Sequence, residues 1–130
     1  YMVFGALVKL MGRDIRRRKR RHYLGRVFAT CASIVLSLSI YDTQCGAKMF
    51  RVNPKLQQLL QEPFHSRWIF DVELIARYCH LRRGIPRAKI EAGIYEYPLT
   101  AWRDVQGSKV GIKDGLRAFV ELGHIYWKYR

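Results

Sequence analysis

Acidic residues are scarce in this sequence of 130 residues, in which 10 Asp and Glu stand against 24 Lys and Arg. The resulting formal net charge of +14 predicts attraction to a polyanion. Nucleic acid, an anionic membrane surface and a substrate that carries a diphosphate all meet that condition, and the sign of the charge does not choose among them. Because hydrophobic residues make up 49% of the chain, we expect a folded core rather than a disordered basic tail.

Cysteine and metal-ligand patterns are also sparse. The three cysteines, Cys31, Cys45 and Cys79, are widely spaced and include no C-x-x-C pair. This spacing argues against a disulfide framework and a zinc module, and it favours a reducing compartment. The four histidines are scattered and include no H-x-x-x-H pair. The sequence therefore predicts no metal site built from these residues.

Long hydrophobic runs are absent as well. The longest uncharged stretch, Val27 to Tyr41, has 15 residues, whereas a membrane-spanning helix needs about 20 apolar residues. We therefore expect a buried or interfacial helix in this region. The opening stretch, YMVFGALVKLMG, is typical of the interior of a longer protein, so we expect an upstream part that this chain does not include.

Hydrophobic periodicity predicts alternating helices and strands, and thus a single α/β domain or domain fragment over residues 1–130. Apolar spacing predicts a helix from Gly12 or Asp14 through the uncharged stretch. Further helices are predicted over 53–62 with Asn53 as N-cap, and over 71–84 with Asp71 as cap and Gly84 as stop. An amphipathic helix is predicted over 112–130, with its apolar face at positions 112, 116, 119, 120 and 127. Strands are predicted at the start, over 47–52 and over 85–99, with 67–70 extended and 100–115 a loop.

The basic run RRRKRRH, residues 16–22, precedes the uncharged stretch directly. This arrangement suits contact with an anionic membrane surface, where each Lys or Arg contributes about 1 kcal/mol. Basic runs also occur in nucleic-acid-binding proteins, so a basic nucleic-acid-binding module is an alternative function. It is the less favoured one, and we do not expect nucleic acid to be the partner, because the chain has no zinc-finger spacing, no RNA-recognition motif and no clear helix-turn-helix.

Three segments occur in a fixed order: DTQCGAKMF at 42–50, RWIFDVELIAR at 67–77 and WRDVQGSKV at 102–110. Together they resemble the second half of family 2 glycosyltransferases, in particular the polyprenyl- and dolichyl-phosphate sugar synthases. The dolichyl-phosphate glucosyltransferase branch fits best, because it shares D-T-Q-C-G and R-W-x-F-D-V-E-L. The resemblance covers roughly residues 5–120.

The resemblance implies the acceptor-side, C-terminal half of a GT-A-type, Rossmann-like domain with three α/β/α layers. It implies transfer of a hexose, glucose in the best-fitting branch, from a nucleotide diphosphate sugar to a polyprenyl or dolichyl phosphate. The reaction would occur at the cytoplasmic face of the membrane, with the protein bound peripherally. The family holds a divalent metal, Mg²⁺ or Mn²⁺, on a D-x-D pair that this sequence lacks. We therefore expect the metal ligands in an upstream nucleotide-binding half, and no transfer by this chain alone. A sugar hydroxyl is the alternative acceptor.

The resemblance also assigns roles to particular residues. Asp42 and Glu73 are the catalytic candidates, although Asp42 also suits a turn and an acid suits the first turn of a helix. The predicted acceptor pocket contains Gln44, Gly46, Lys48, Trp68 and Asp71. The predicted phosphate-binding residues are Arg13, Arg16, Arg17, Arg103, Ser108 and Lys109.

The predictions for Lys48 and Gly46, and one for the neighbouring Cys45, have a physical basis of their own. An unpaired buried ammonium is costly, so Lys48 should pair with Asp42, Asp71 or Glu73. Gly46 should allow a close backbone approach that a Cβ would obstruct. Cys45 has no His or metal partner in the sequence pattern, so we expect it to pack rather than to react.

Overall fold

The computed structural model describes residues 2–16, 19–103 and 112–130, with side chains described from residue 23 in the first helix and from residue 113 in the last. Within these ranges the chain is mixed α/β. Its strands are β1 (Met2–Ala6), β2 (Asp14–Arg16), β3 (Lys48–Phe50), β4 (Ile94–Pro98) and β5 (Ala101–Arg103). Its helices are α1 (Lys19–Leu36), α2 (Pro54–Leu60), α3 (Phe70–Leu81), α4 (Arg87–Glu91) and α5 (Ile112–Tyr129).

The strands form two small sheets that join end to end. In the first, β1 lies between β3 and β4 and pairs antiparallel with β3 and parallel with β4. In the second, β2 and β5 pair in parallel. The backbone bridges the two sheets, because Leu99 N donates to Ala6 O at 3.0 Å and Asp14 N donates to Thr100 O at 3.1 Å. The β2–β5 ribbon therefore extends the parallel β1–β4 pair past its carboxyl end.

The core lies on one face of the larger sheet. Met2 and Phe4 of β1 are buried there and join a cluster with residues of α1, α3 and α5. The opposite face carries Met49 and Tyr95, which lie across the strands on either side of Val3 and are exposed. The α/β class is confirmed. Of the three layers expected, however, the described residues build a sheet and the helical layer on one face.

Local secondary structure departs from the predictions at several boundaries. Asp14 lies in β2 rather than at a helix start, and α1 begins at Lys19. The predicted 85–99 strand is divided, because α4 precedes β4. The predicted loop at 100–115 opens with β5, and residues 104–111 lie outside the described residues. The helix over 53–62 is confirmed, since Asn53 Oδ1 accepts from Leu56 N at 2.9 Å and caps α2.

Both long helices are apolar on two faces, which explains one wrong prediction. The apolar positions predicted to form the inner face of α5 include Leu116, Val120 and Trp127, all of which are exposed. The face that joins the core instead carries Leu122 and Ile125. In α1, likewise, Phe28 and Ala32 are buried and an outer row is exposed, namely Tyr23, Leu24, Val27 and Ile34.

Candidate functional site at the carboxyl edge of the sheet

The turn that contains Asp42 lies at the carboxyl end of the parallel strands. Asp42 Oδ2 accepts from Leu7 N at 3.3 Å, just beyond β1, and Oδ1 accepts from Gln44 N at 3.1 Å. The second bond is the side-chain-to-backbone contact that favours Asp in turns. Asp42 therefore fixes the turn to the strand end, which is the edge where open α/β sheets bind ligands.

Glu96 of β4 supports the same turn and was missed by the sequence analysis. One of its carboxylate oxygens accepts from Asp42 N at 2.8 Å, and both accept from Tyr41 N at 2.9 Å. Glu96 shares the inward sheet face with Ile94, so a lone acid at an inward position of a strand was the available signal. Its effect is to hold the Asp42 turn against β4.

The start of α3 reaches the turn through Asp71. Gln44 Nε2 donates to Asp71 Oδ1 at 2.7 Å, and Lys48 Nζ lies 3.1 Å from Asp71 Oδ2. The Lys48 ammonium also donates to the Cys45 carbonyl and lies 5.6 Å from the centre of the Phe70 ring. The prediction that Lys48 pairs with a nearby carboxylate is thus confirmed, with Asp71 as its partner. We call Asp42, Gln44, Lys48 and Asp71 the edge cluster.

Asp71 is almost fully buried, and its electrostatics follow from that burial. Loss of water raises the pKa of the Asp71 carboxyl above its usual range, against the opposing effect of the Lys48 ammonium and of hydrogen bonds from Val72 N and Gln44. Asp71 lies in the first turn of α3, whereas the cap position belongs to Ile69, so the predicted cap role is wrong. Its bonds serve the edge cluster instead.

Glu73, two residues further on, belongs to a different network. Its Oε1 accepts from Arg77 Nη2 at 2.9 Å and from Tyr129 Oη at 3.0 Å, and its Oε2 accepts from His65 N at 2.8 Å. Arg77 in turn donates to the carbonyls of Leu59, Glu62 and Pro63. We call Glu73, Arg77 and Tyr129 the anchor network, because it joins α3 to α5 and to the segment that follows α2.

The surroundings of Glu73 favour its charged form, whereas those of Asp71 disfavour its charged form. Burial alone would raise the pKa of Glu73, but hydrogen bonds from Arg77, Tyr129 and His65 N outweigh it, so the pKa lies below its usual range. The carboxylate is fully buried and has donors on both oxygens. These bonds join α3 to α5 and to the segment after α2, and the catalytic role of Glu73 stays a prediction.

The predicted phosphate-binding residues divide into three groups. Arg16 and Arg103 are brought together, because they face each other across the β2–β5 ribbon and both approach Asp14, at 2.8 and 3.4 Å. The bond from Arg16 is the main reason that the pKa of Asp14 is lowered. Arg13 is used internally, since its Nη1 donates to Leu99 O at 2.9 Å. Arg17, Ser108 and Lys109 lie outside the described residues.

Contacts around Gly46 connect the ribbon with the Asp42 turn. A Cβ at Gly46 would lie 3.8 Å from Trp102 of β5, which is an ordinary contact. No described neighbour lies close enough to Gly46 to require glycine at this position. Gly5 of β1 is more tightly enclosed than Gly46, because a Cβ there would lie 3.0 Å from Cys45 Sγ. Cys45 is buried against it, which agrees with the packing role expected of this residue.

Trp68 is half exposed, at the start of the segment that leads into α3. Its backbone N–H and that of Ile69 donate to Ser66 Oγ, and Ser66 also bonds to Glu121. Ser66 is a second residue that the sequence analysis missed, and no pattern in the sequence marks it. The bonds from Ser66 shape the entry to α3 and leave the Trp68 indole partly exposed to solvent.

Metal binding was tested against the same residues. The described part of the chain contains no group of three or more His, Cys, Asp or Glu side chains arranged to hold a metal ion. The acids of the edge cluster are already bonded to Lys48, Gln44 and backbone amides. These residues do not fit a divalent metal.

Comparison with known proteins gives a weak similarity. The chain is 25% identical over 114 residues to a dolichyl-phosphate beta-glucosyltransferase, ALG5D, of Trichomonas vaginalis. The match covers 85% of this chain and 32% of that protein, so the chain spans about a third of the length of the relative it matches. No family model matches the chain, and no solved structure matches it. The similarity relates the chain, at a distance, to a glycosyltransferase.

Proposed function

We propose that this chain forms the acceptor side of a family 2 glycosyltransferase that moves a hexose, glucose first of all, from a nucleotide diphosphate sugar to a polyprenyl phosphate. The observation that carries the proposal is that the edge cluster and the ribbon that bears Arg16 and Arg103 both lie at the carboxyl end of β1 and β4. The weak similarity to a dolichyl-phosphate glucosyltransferase supports it. The remaining parts of the enzyme, including the donor nucleotide site and its divalent metal, would lie outside these residues.

In the proposed reaction, a phosphate oxygen of the polyprenyl phosphate attacks C1 of the sugar with inversion. The bond from C1 to the nucleotide diphosphate breaks, and its electron pair leaves on the diphosphate. A phosphate monoester is largely ionised near neutral pH, so the attacking oxygen needs little help from a general base. This agrees with an Asp42 whose carboxylate orients the turn through Leu7 N and Gln44 N.

Arg16 and Arg103 would bind the phosphate groups. Their guanidinium groups are exposed and share the Asp14 carboxylate as counter-ion. A diphosphate that approached the ribbon would replace that single carboxylate with several charge-assisted bonds. Stabilising the charge that develops on a departing diphosphate is the main electrostatic task of such an enzyme. Ser108 and Lys109 retain their proposed part in the same phosphate site on sequence grounds.

Membrane contact would use the outer faces of α1 and α5. These helices touch, since the Phe28 and Phe119 rings pack with centroids 5.7 Å apart. Each presents an exposed apolar row, and basic residues such as Lys113, Arg117 and Lys128 lie beside the α5 row. An apolar face flanked by cations is the pattern of a helix that lies in the interface of an anionic membrane. A polyprenyl phosphate would present its headgroup at that depth.

No helix in the described ranges combines the length and the hydropathy that crossing a bilayer requires.

The proposal is tested by assaying the full-length protein with nucleotide diphosphate glucose and vesicles that contain a polyprenyl phosphate. The expected product is a lipid-linked glucosyl phosphate that mild acid hydrolyses. The variant Arg16→Gln/Arg103→Gln should lower transfer at least about tenfold, since each charge-assisted bond contributes roughly 1.5–3 kcal/mol. Arg87→Gln is the matched control, because Arg87 also forms an exposed ion pair at 2.8 Å, with Glu91 on α4.

Three outcomes would contradict the proposal. Formation of an acid-stable glycoside on a sugar hydroxyl, with none on the lipid phosphate, would replace the acceptor by the alternative class. Equal transfer rates for the wild type and the Arg16→Gln/Arg103→Gln variant would remove the phosphate role of the ribbon. If transfer is lost in the Arg87→Gln control as well, the lower rate of Arg16→Gln/Arg103→Gln results from the reduced net charge and not from a phosphate site.

A further inference from the structure

A second basic feature lies at the opposite end of the sheet. A cavity of about 310 Å³ opens between the start of β1, the segment around α2, the end of α3 and the turn from α4 to β4. Its lining includes four cationic side chains, Arg51, Lys55, Arg82 and Lys89. None of these residues has a part in the edge cluster or in the β2–β5 ribbon.

The position of the cavity separates it from the proposed active site. Met2, the first residue of β1, and Gly93, which precedes β4, both line it, so it lies at the amino end of the parallel strands. The Asp42 carboxylate contacts Leu7, beyond the other end of β1. Five residues of strand at about 3.3 Å each place roughly 16 Å between the two ends. A ligand in the cavity would therefore not be a substrate held at the edge cluster.

The charge in the cavity has one sign. Among the described residues that line it there is no Asp or Glu, and Lys55 and Lys89 are exposed at its rim. Leu56 and Leu59 are buried at its base and supply an apolar floor. Four cations around a hollow with an apolar floor favour an anion of high charge that is attached to an uncharged part.

Part of this arrangement is fixed by the fold. Arg82 Nη1 donates to Tyr78 Oη and to Lys89 O, and the guanidinium lies 5.0 Å from the centre of the Tyr78 ring. Tyr78 occupies the space above Gly93, where a Cβ would lie 1.9 Å from the tyrosine oxygen. Glycine at position 93 thus permits the Tyr78 position that orients Arg82. Arg82 is therefore held in place before any ligand arrives, which reduces the entropic cost of binding.

We propose that this cavity is a second phosphate site, which binds a phosphomonoester or diphosphate group and places the uncharged part of the ligand on the Leu56–Leu59 floor. A phosphomonoester carries between one and two negative charges near neutral pH, which matches a site with several ammonium and guanidinium donors. The ligand is either a soluble phosphate ester or the headgroup of a lipid. The site is independent of sugar transfer, because it uses none of the residues assigned to that reaction.

Calorimetric titration of the full-length protein with inorganic pyrophosphate, at an ionic strength of about 0.15 M that screens diffuse charge, tests the site. The variant Lys55→Gln/Lys89→Gln should bind at this site at least about tenfold more weakly. Lys9→Gln/Arg67→Gln removes the same charge from exposed residues outside the cavity and should leave the titration unchanged. The four substituted residues are exposed, so the fold should be retained, which the unfolding midpoint checks.

Pyrophosphate is also expected to bind the Arg16–Arg103 pair, so Arg16→Gln/Arg103→Gln should remove one binding event and leave the other. If Arg16→Gln/Arg103→Gln removes no binding event while Lys55→Gln/Lys89→Gln does, the result contradicts the phosphate role of the ribbon and leaves the second site standing. Vesicles of phosphatidylcholine, with and without phosphatidic acid, identify the source of the phosphate. Vesicle binding that depends on phosphatidic acid and is lost in Lys55→Gln/Lys89→Gln indicates a lipid headgroup. Loss of pyrophosphate binding in that variant, with vesicle binding unchanged, indicates a soluble ester. Unchanged binding of both probes in that variant overturns the proposal.

Discussion

Asp71 and Glu73 stand two residues apart in the first turn of α3, yet the fold uses them in opposite ways. Asp71 faces the edge cluster, where its partners are Lys48 and Gln44. Glu73 faces α5 and the segment after α2, where Arg77 and Tyr129 hold it. The pKa of Asp71 is raised, chiefly by burial, whereas that of Glu73 is lowered, because its donors outweigh burial.

The comparison shows that two acids of one motif bond to different parts of the fold. The hydrogen bonds of Glu73 with Arg77, Tyr129 and His65 N join elements of the fold. The edge cluster, by contrast, lies at the edge of the sheet where ligands bind. We infer that Glu73 stabilises the fold and that Asp71 positions Lys48 and Gln44. Changes in the anchor network should therefore affect unfolding, and changes in the edge cluster should affect transfer.

The largest effect is expected for Arg77→Met. This change leaves the Glu73 carboxylate buried without its cation and removes the donor from the carbonyls of Leu59, Glu62 and Pro63. Breaking a buried ion pair in this way costs about 3–5 kcal/mol. Urea unfolding, followed by circular dichroism, measures the loss.

Arg87→Met is the matched control for that experiment. Arg87 also pairs with a glutamate four residues away, Glu91 at 2.8 Å, but both side chains are exposed. Exposed helical pairs contribute about 0.3–0.5 kcal/mol. Similar losses in the two variants would mean that the anchor network is no more important than a surface ion pair.

A smaller effect is expected for Tyr129→Phe. The substitution removes one hydroxyl that donates to Glu73 Oε1 and accepts from Arg77 Nε, and it retains the ring. Two hydrogen bonds to charged groups are lost, so the free energy of unfolding should fall by about 1.5–3 kcal/mol, less than for loss of the Arg77 cation. The same urea titration detects it, and the transfer rate should not change. A loss of transfer at unchanged stability would place Tyr129 in the active site rather than in the anchor network.

The smallest effect, and the sharpest contrast, is in the pH dependence of unfolding. Because the folded pKa of Glu73 is lowered, its contribution is complete above pH of about 4.5 and is lost as the pH falls through the folded value. Because the folded pKa of Asp71 is raised, its contribution is complete below pH of about 4 and is lost as the pH rises through the folded value.

Unfolding titrations from pH 3 to pH 7 test this contrast with Glu73→Gln and Asp71→Asn. The stability advantage of the wild type over Glu73→Gln should grow as the pH rises through the acid range. Its advantage over Asp71→Asn should shrink over the same range. Two differences that change with pH in the same direction would contradict the two pKa assignments.

Much of the local structure follows from the sequence. Asn53 and Pro54 predict the start of α2, and the sequence AKMFRV at 47–52 predicts the strand that contains β3, because these signals depend on neighbouring residues alone. The sequence predicts that Lys48 pairs with one of three acids, because an ammonium in an apolar strand needs a carboxylate partner. It does not show which of the three acids is that partner. The α/β class follows from the order of the elements.

The rest depends on contacts between distant residues. Nothing near Glu73 in sequence shows that Tyr129 and His65 N bond to it. The inner face of α5 was assigned wrongly because the helix has two apolar faces, and only the packing against α1 and α3 selects Leu122 and Ile125. Glu96 was missed for the same reason, since the backbone amides that it binds belong to residues more than fifty positions away.

The most direct test of the central claim compares Asp71→Asn with Glu73→Gln in the full-length protein, with transfer to a polyprenyl phosphate and unfolding free energy measured on the same preparations. Asp71→Asn should remain folded and lose at least about tenfold in turnover, which corresponds to 1.4 kcal/mol or more of transition-state stabilisation. Glu73→Gln should unfold more easily and keep its turnover below the unfolding transition. The reverse result, a stable Glu73→Gln protein without activity beside an active Asp71→Asn protein, would contradict the account.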